Sequence, residues 1–341
     1  MNLIILILSS GLLWAQGTDP SSAEEIARFQ DRIENTLSTV RSFKSGCPTC
    51  GLFTAGDSSA MSVDCRKTYQ KIFKIKDRAA QESGNDRFFD VSLAFGYMDF
   101  AGQTADNYAS YGFQAALMSR CQPGEFACGF TRHPDDANLF YKQIKILGPD
   151  GVLRLRTVRI TIQSSSVSNI ERDNRTELRD QQNRKSAETQ KFFLSGLQNS
   201  DVVFYVGHAR DGGGPDFSPP VLIKGSQTKA DYGWYHKNQP GVHAMVDALG
   251  AASHPAKIVG IFACYAEDHF SDLFKQILPG SGVILSGQQE FEASEAQAAA
   301  SLDSILGLKC ADQFQQSVDL LKNVNKTVIT GVHLERVFGE N

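Results

Sequence analysis

Several things are scarce in this chain, and each scarcity removes a class of function. Its formal net charge is −4 with 21% charged residues, so it has no basic surplus with which to neutralise phosphates, and nucleic acid is not expected as a partner. After its first seventeen residues no apolar run is long enough to cross a bilayer, which leaves no stable membrane span once that block is removed. Internal repeats and low-complexity tails are absent as well. The triple glycine Gly212-Gly213-Gly214 lacks the Lys-Ser/Thr and the helix opening that a phosphate cradle requires. His208, His236, His243, Cys264 and His269 are conceivable metal ligands, but none form a pair at a diagnostic spacing. No metal or other cofactor is expected.

The positive features begin with 341 residues, enough for two domains or for one large domain with a smaller one attached. Residues 1–17 form a short apolar block ending in Ala15-Gln16-Gly17, small residues at the spacing a signal peptidase prefers, although no Lys or Arg precedes the block. The expectation is a cleaved signal peptide and an exported protein, secreted or periplasmic. Cysteine usage agrees with export. There are seven cysteines, and an odd number leaves one thiol outside any bridge. Cys121 and Cys128 are close enough to close a small loop around Pro123-Gly124. Cys47, Cys50, Cys65 and Cys310 could supply two more disulfides, with the pairing open. Cys47-Pro-Thr-Cys50 follows a helix and enters a Gly/Ser loop, with no second pair at similar spacing. That context favours a structural disulfide over a redox or zinc site.

Ser21-Ser-Ala-Glu24 has the capping-box pattern, and Ile26, Phe29, Ile33, Leu37, Val40 and Phe43 follow at helical spacing, predicting a packed helix. A second helix is predicted over 61–81. From Arg87 the period changes to two, with Val91, Leu93, Phe95 and Tyr97 on a strand and a further strand expected over 111–118. The segments 142–147 and 152–156 flank Gly148-Pro-Asp-Gly151, a β-hairpin turn in which Pro presets one dihedral and Gly permits the next. Val158, Ile160 and Ile162 share a face and are read as the first strand of an α/β unit, ending at Ser164-Ser-Ser166. One long helix over 169–190, helices over 242–252 and 270–278, a strand over 282–286, and closing helices over 293–306 and 313–324 complete the expectation. Strands and helices alternate in the later part, as in a mostly parallel sheet with helices on both faces.

Two segments of that unit end in reactive side chains. The apolar run Asp201-Val-Val-Phe-Tyr-Val206 passes into Gly207-His208-Ala209-Arg210 and the glycine loop, and Lys257-Ile-Val-Gly-Ile-Phe262 ends in Ala263-Cys264. Uninterrupted apolar runs of this kind suit strands covered on both faces, and in open parallel sheets chemistry sits at the carboxyl ends of such strands. A thiol attacks as the thiolate, and a neighbouring imidazole can take its proton and later return one to a leaving group. His208 and Cys264 are therefore the candidate catalytic pair, separated by a length that suits one helical crossover.

At these residues the chain resembles the cysteine peptidases of the caspase/haemoglobinase fold, the group of caspases, legumains, gingipains and clostripain. The resemblance covers roughly residues 155 to 290 and rests on the two strand-end motifs and their order. It implies a caspase-like catalytic domain over 151–290, preceded by a helical and β-rich region over 18–150 and followed by packing helices over 291–341. Relatives usually carry Gly directly after the His, where this chain has Ala209. They also place a strand between the first strand and the His strand, for which the sequence offers no candidate. By resemblance, the N–H groups of Ala209 and Cys264 are the candidate oxyanion donors. Asp211, Asp216, Trp234, Glu267 and Asp268 crowd the same predicted edge and are candidate substrate-binding residues, the carboxylates favouring a basic side chain in a protein or peptide substrate. The competing expectation is an exported caspase-like binding module without turnover.

Overall fold

The computed structural model describes residues 20–46, 72, 88–100, 102–147, 153–278, 281–287, 294–309 and 314. The expected signal peptide, Cys47, Cys50, Cys65 and Cys310 lie outside the described residues. So do the expected helices over 61–81 and 313–324, apart from Ile72 and Phe314.

A seven-stranded sheet organises the chain, in the order β4-β5-β6-β1-β7-β8-β9. The strands are β1 (Phe88–Phe95), β4 (Thr131–His133), β5 (Asp136–Leu147), β6 (Leu153–Ser164), β7 (Val202–Val206), β8 (Ile258–Phe262) and β9 (Gly282–Leu285). A separate two-stranded ribbon joins β2 (Asp99–Phe100) to β3 (Gln103–Thr104). From β6 to β9 every pairing is parallel, and β5 and β4 extend that edge antiparallel. The segments flanking Gly148-Pro-Asp-Gly151 pair antiparallel as expected, with Leu147 opposite Leu153, and the turn itself lies outside the described residues.

The central strands carry unbroken apolar runs because both faces are covered. On β7, Val202, Phe204 and Val206 belong to one core with Phe29 and Ile33 of α1 (Pro20–Gly46), Phe113 and Leu117 of α2 (Asp106–Met118), and Leu302 and Ile305 of α8 (Ser294–Leu306). Val203 and Tyr205 point the other way. They join Phe193 and Leu197 of α4 (Arg179–Asn199), Met245 of α6 (Pro240–Gly250), and Phe270 and Phe274 of α7 (Ala266–Ile277). The fold is thus α/β, a mostly parallel sheet with helices on both faces.

Four expectations need correction. Residues 111–118 form the last two turns of α2, not a strand: Ala109, Phe113, Ala116 and Leu117 recur at helical spacing and are buried together, a period that a single β-like stretch of apolar residues disguised. The helix expected over 169–190 is broken by a turn into α3 (Glu171–Arg175) and α4. The first strand of the unit is β1, and β6 is the second, because β1 pairs with both β6 and β7. The expected boundary between 150 and 151 falls between the paired strands β5 and β6. β1, from the region before that boundary, sits in the middle of the sheet. α1 also begins at Pro20, ahead of the expected cap at Ser21, with Pro at a first-turn position where its missing N–H costs nothing.

Candidate active site

The carboxyl edge of the sheet gathers the ends of β1, β7 and β8. Val206 pairs with Phe262 in register, so His208 and Cys264 each stand two residues beyond matched strand ends. Gly207 N–H donates to the Phe262 carbonyl at 3.1 Å, which carries the strand pairing one residue further. On the other side of β7, Gly96 N–H donates to the Val206 carbonyl at 2.8 Å, bringing the segment after β1 to the same edge. Cys264 is half-buried and forms no disulfide among the described residues. It directly precedes Tyr265, whose left-handed backbone (φ 52°) turns the chain into α7.

The His208 side chain is 18% exposed, with Nε2 at 3.6 Å from Asp99 Oδ1 and 3.3 Å from the Asp99 carbonyl. Both neighbours are acceptors, so Nε2 carries the hydrogen of the neutral ring and Nδ1 keeps its lone pair. Burial, and then the positive charge of Arg210, push the His208 pKa down to about 4 against the opposing pull of Asp99. The imidazole is neutral at pH 7.

Arg210 lies at the centre of this edge, its side chain 1% exposed. Its Nη2 pairs with Asp99 Oδ1 and its Nε with Asp216 Oδ2 at 2.8 Å. Burial works against this guanidinium, but Asp216 and Asp99 together hold it firmly charged. Burial would likewise raise Asp99, yet Arg210 above all keeps that carboxyl below its usual range. Tyr235, on α5 (Tyr232–Asn238), donates its hydroxyl to Asp216 Oδ2 at 3.1 Å and accepts from Val221 N–H at 3.1 Å. Tyr205 passes its hydroxyl under the loop, 2.9 Å from the His208 carbonyl, and accepts from Asp216 N–H at 3.0 Å. That close approach requires glycine at two positions. A Cβ on Gly96 would overlap the Tyr205 hydroxyl, and one on Gly207 would come within 2.6 Å of it.

Among the residues singled out from sequence, Ala209 is buried, and the strained left-handed φ values fall after it, on Arg210 (46°) and Asp211 (52°). Nothing in the backbone demands glycine at 209. The Asp211 carboxylate is exposed and stands 4.0 Å from His236 Nδ1. Asp216 is engaged by Arg210, Tyr235 and Ser218 N–H, so its charge is matched inside the protein. Trp234 is 37% exposed and packs edge-on against Tyr235. Glu267 and Asp268 lie in the first turn of α7, where acidic residues suit the helix dipole, and neither forms an ion pair among the described residues. The triple glycine bends onto α6, with the Gly213 carbonyl accepting from Gly241 N–H at 2.8 Å. Among the described residues no group of three or more His, Cys, Asp or Glu is arranged to hold a metal ion.

Sequence reasoning missed Asp99, Arg210 and Tyr205. A signal existed for Asp99, which follows β1 as His208 follows β7, and which the same strand-end rule would have flagged had β1 been assigned to the sheet. Comparison of the chain with family models, curated proteins and solved structures returned no match.

Proposed function

We propose that the protein is an exported cysteine peptidase in which Cys264 is the nucleophile and His208 the general base. The observation that supports this most is the register of β7 and β8, which brings the two side chains to equal positions beyond adjacent parallel strands. The five parallel strands run second-first-third-fourth-fifth, an order whose ligands sit at the carboxyl edge. With β1 counted as first, β6 is the strand that the resemblance to the caspase/haemoglobinase fold expects before the His strand. The Cys121–Cys128 disulfide supports export, since such bonds persist in oxidising compartments.

In the resting site a neutral His208 holds its Nε2 hydrogen toward Asp99, leaving Nδ1 to accept the thiol proton of Cys264. The thiolate, favoured beside the N-terminal end of α7, attacks the substrate carbonyl and its sulfur–carbon bond forms as the carbonyl π bond opens. The N–H groups of Ala209 and Cys264 are the candidate donors to the resulting oxyanion. Collapse breaks the carbon–nitrogen bond, and His208 returns the proton to the leaving amine. Water then attacks the thioester, gives a proton to His208, and the acid product leaves with Cys264 again a thiol. With Asp216 engaged inside the protein, Asp211, Glu267 and Asp268 remain to favour a basic side chain, with Trp234 as an apolar wall.

Incubating the mature protein with a mixed peptide library under mild reduction, and mapping new termini by mass spectrometry, tests this reading. Cleavage is expected for the native sequence, lost in Cys264→Ala and reduced at least about a hundredfold in His208→Ala, the usual worth of a general base. Equal cleavage by native protein and Cys264→Ala would defeat the proposal, and a protein that cleaves nothing after limited proteolytic activation would be a binding module.

A further inference from the structure

We infer that Arg210 is a positioning residue for His208, acting through Asp99 to keep the imidazole neutral. Its catalytic consequence rests on the peptidase reading above, but its effect on His208 does not.

A carboxylate beside a histidine ordinarily does the opposite, stabilising the imidazolium. Here the Asp99 carboxylate lies 3.6 Å from His208 Nε2, close enough for that ion pair. It is already taken by the guanidinium of Arg210, which is almost wholly buried and also bound to Asp216. Arg210 Nη2 reaches the Tyr97 carbonyl as well, at 3.5 Å, so the cation ties together the segments after β1 and β7. Its planar group lies 5.8 Å from the Tyr235 ring, which helps fix its orientation. With Asp99 neutralised, the nearer and better acceptor for Nε2–H is the Asp99 backbone carbonyl, at 3.3 Å. A carbonyl orients the ring and favours its protonation less than the carboxylate does.

Among the described residues, the charged or titratable groups around His208 include Asp99, Arg210 and Asp216, with Tyr205 hydrogen-bonded to the His208 carbonyl and Cys264 at the next strand end. His269 of α7 faces the loop further out, its ring against Gly212. Arg210 supplies positive charge to this cluster. Removing it while both carboxylates stay would leave His208 facing uncompensated negative charge. Arg210 also holds a left-handed backbone, φ 46°, two positions after the histidine, and its guanidinium reaches Asp99 and Asp216 from there.

The test reads His208 directly. With the imidazoles isotopically labelled and the protein carrying Cys264→Ala, the His208 ring resonances are followed by NMR from pH 5 to 8. His208 is expected to stay neutral throughout with native Arg210 and with Arg210→Lys, and to gain imidazolium within the range in Arg210→Gln. The double variant Arg210→Gln/Asp99→Asn should return it to neutral. If Arg210→Gln does not fold, Arg210→Gln/Asp216→Asn strands one carboxylate fewer and should gain the imidazolium in its place. A folded Arg210→Gln protein whose His208 stays neutral overturns the inference, as does a double variant that remains protonated. Should His208 respond as expected while no variant with Cys264 intact cleaves the peptide library, the positioning role stands and the peptidase reading falls.

Discussion

Tyr205 shows how much of the site hangs on single atoms. Its hydroxyl accepts from Asp216 N–H and lies within donating distance of both the His208 and Asp216 carbonyls. It therefore locks the loop that carries His208 and Arg210 to the strand beneath, and its own burial holds its pKa far above the ordinary range, so it stays a donor at any working pH. Tyr205→Phe would leave a buried amide and a buried carbonyl without this partner. The expected cost is about 1–3 kcal/mol of folding stability, read as a lower urea midpoint at unchanged slope. A loss below a few tenths of a kcal/mol would mean that water or a neighbouring group replaces the hydroxyl. Residues such as this one are hard to read from sequence, because Tyr205 lies inside an apolar run where a tyrosine is ordinarily only a packed ring.

At the scale of elements, the connections at the carboxyl edge carry opposing pH dependences. The start of α2 is tied to the end of β6 by Asp106, fully buried, which accepts from Ser165 N–H at 3.1 Å and Ser166 N–H at 2.7 Å and bonds the Ser166 hydroxyl at 2.5 Å. Burial outweighs these hydrogen bonds and pushes its pKa up to about 6. The folded protein then binds the Asp106 proton more tightly than the unfolded chain, and the contribution to stability is lost as pH rises from about 4 to about 6. His208, pushed down to about 4, works in reverse. The unfolded chain binds its proton more tightly, so stability is lost as pH falls from about 6.5 to about 4. The two shifts are of similar size and opposite sign, so their joint contribution between pH 4 and 6 is close to flat. Asp106→Asn removes one side of the balance. Its unfolding free energy should rise across that window by up to about 3 kcal/mol relative to the native protein's own change. Parallel pH profiles for the two proteins, measured by urea unfolding, would contradict these assignments.

For the whole molecule, the sheet was legible where strands are buried on both faces. The runs Val202–Val206 and Ile258–Phe262 are apolar at every position except Gly260, and two residues beyond each stands a reactive side chain, so the strands and the two candidate residues could be read together. The spacing of Cys121 and Cys128 was enough to foresee their disulfide. What stayed hidden was long-range. The insertion of β1 between β6 and β7 depends on pairing across about a hundred residues, which no local period records, and with β1 misassigned the strand-end rule never reached Asp99. Arg210 was opaque for another reason: a lone arginine in a glycine-rich loop is ordinarily solvated, and only the meeting of Asp99 and Asp216 makes it a buried cation. The central claim is that this edge activates one thiol, and labelling tests it most directly. The protein, mildly reduced at neutral pH, is treated with an electrophilic peptide probe, and the adduct is mapped by mass spectrometry. One adduct on Cys264, absent in Cys264→Ala and at least about tenfold slower to form in His208→Ala, is the predicted result. Equal labelling of native and Cys264→Ala proteins, or a Cys264 that reacts no faster without competition than an unstructured peptide thiol, would contradict it.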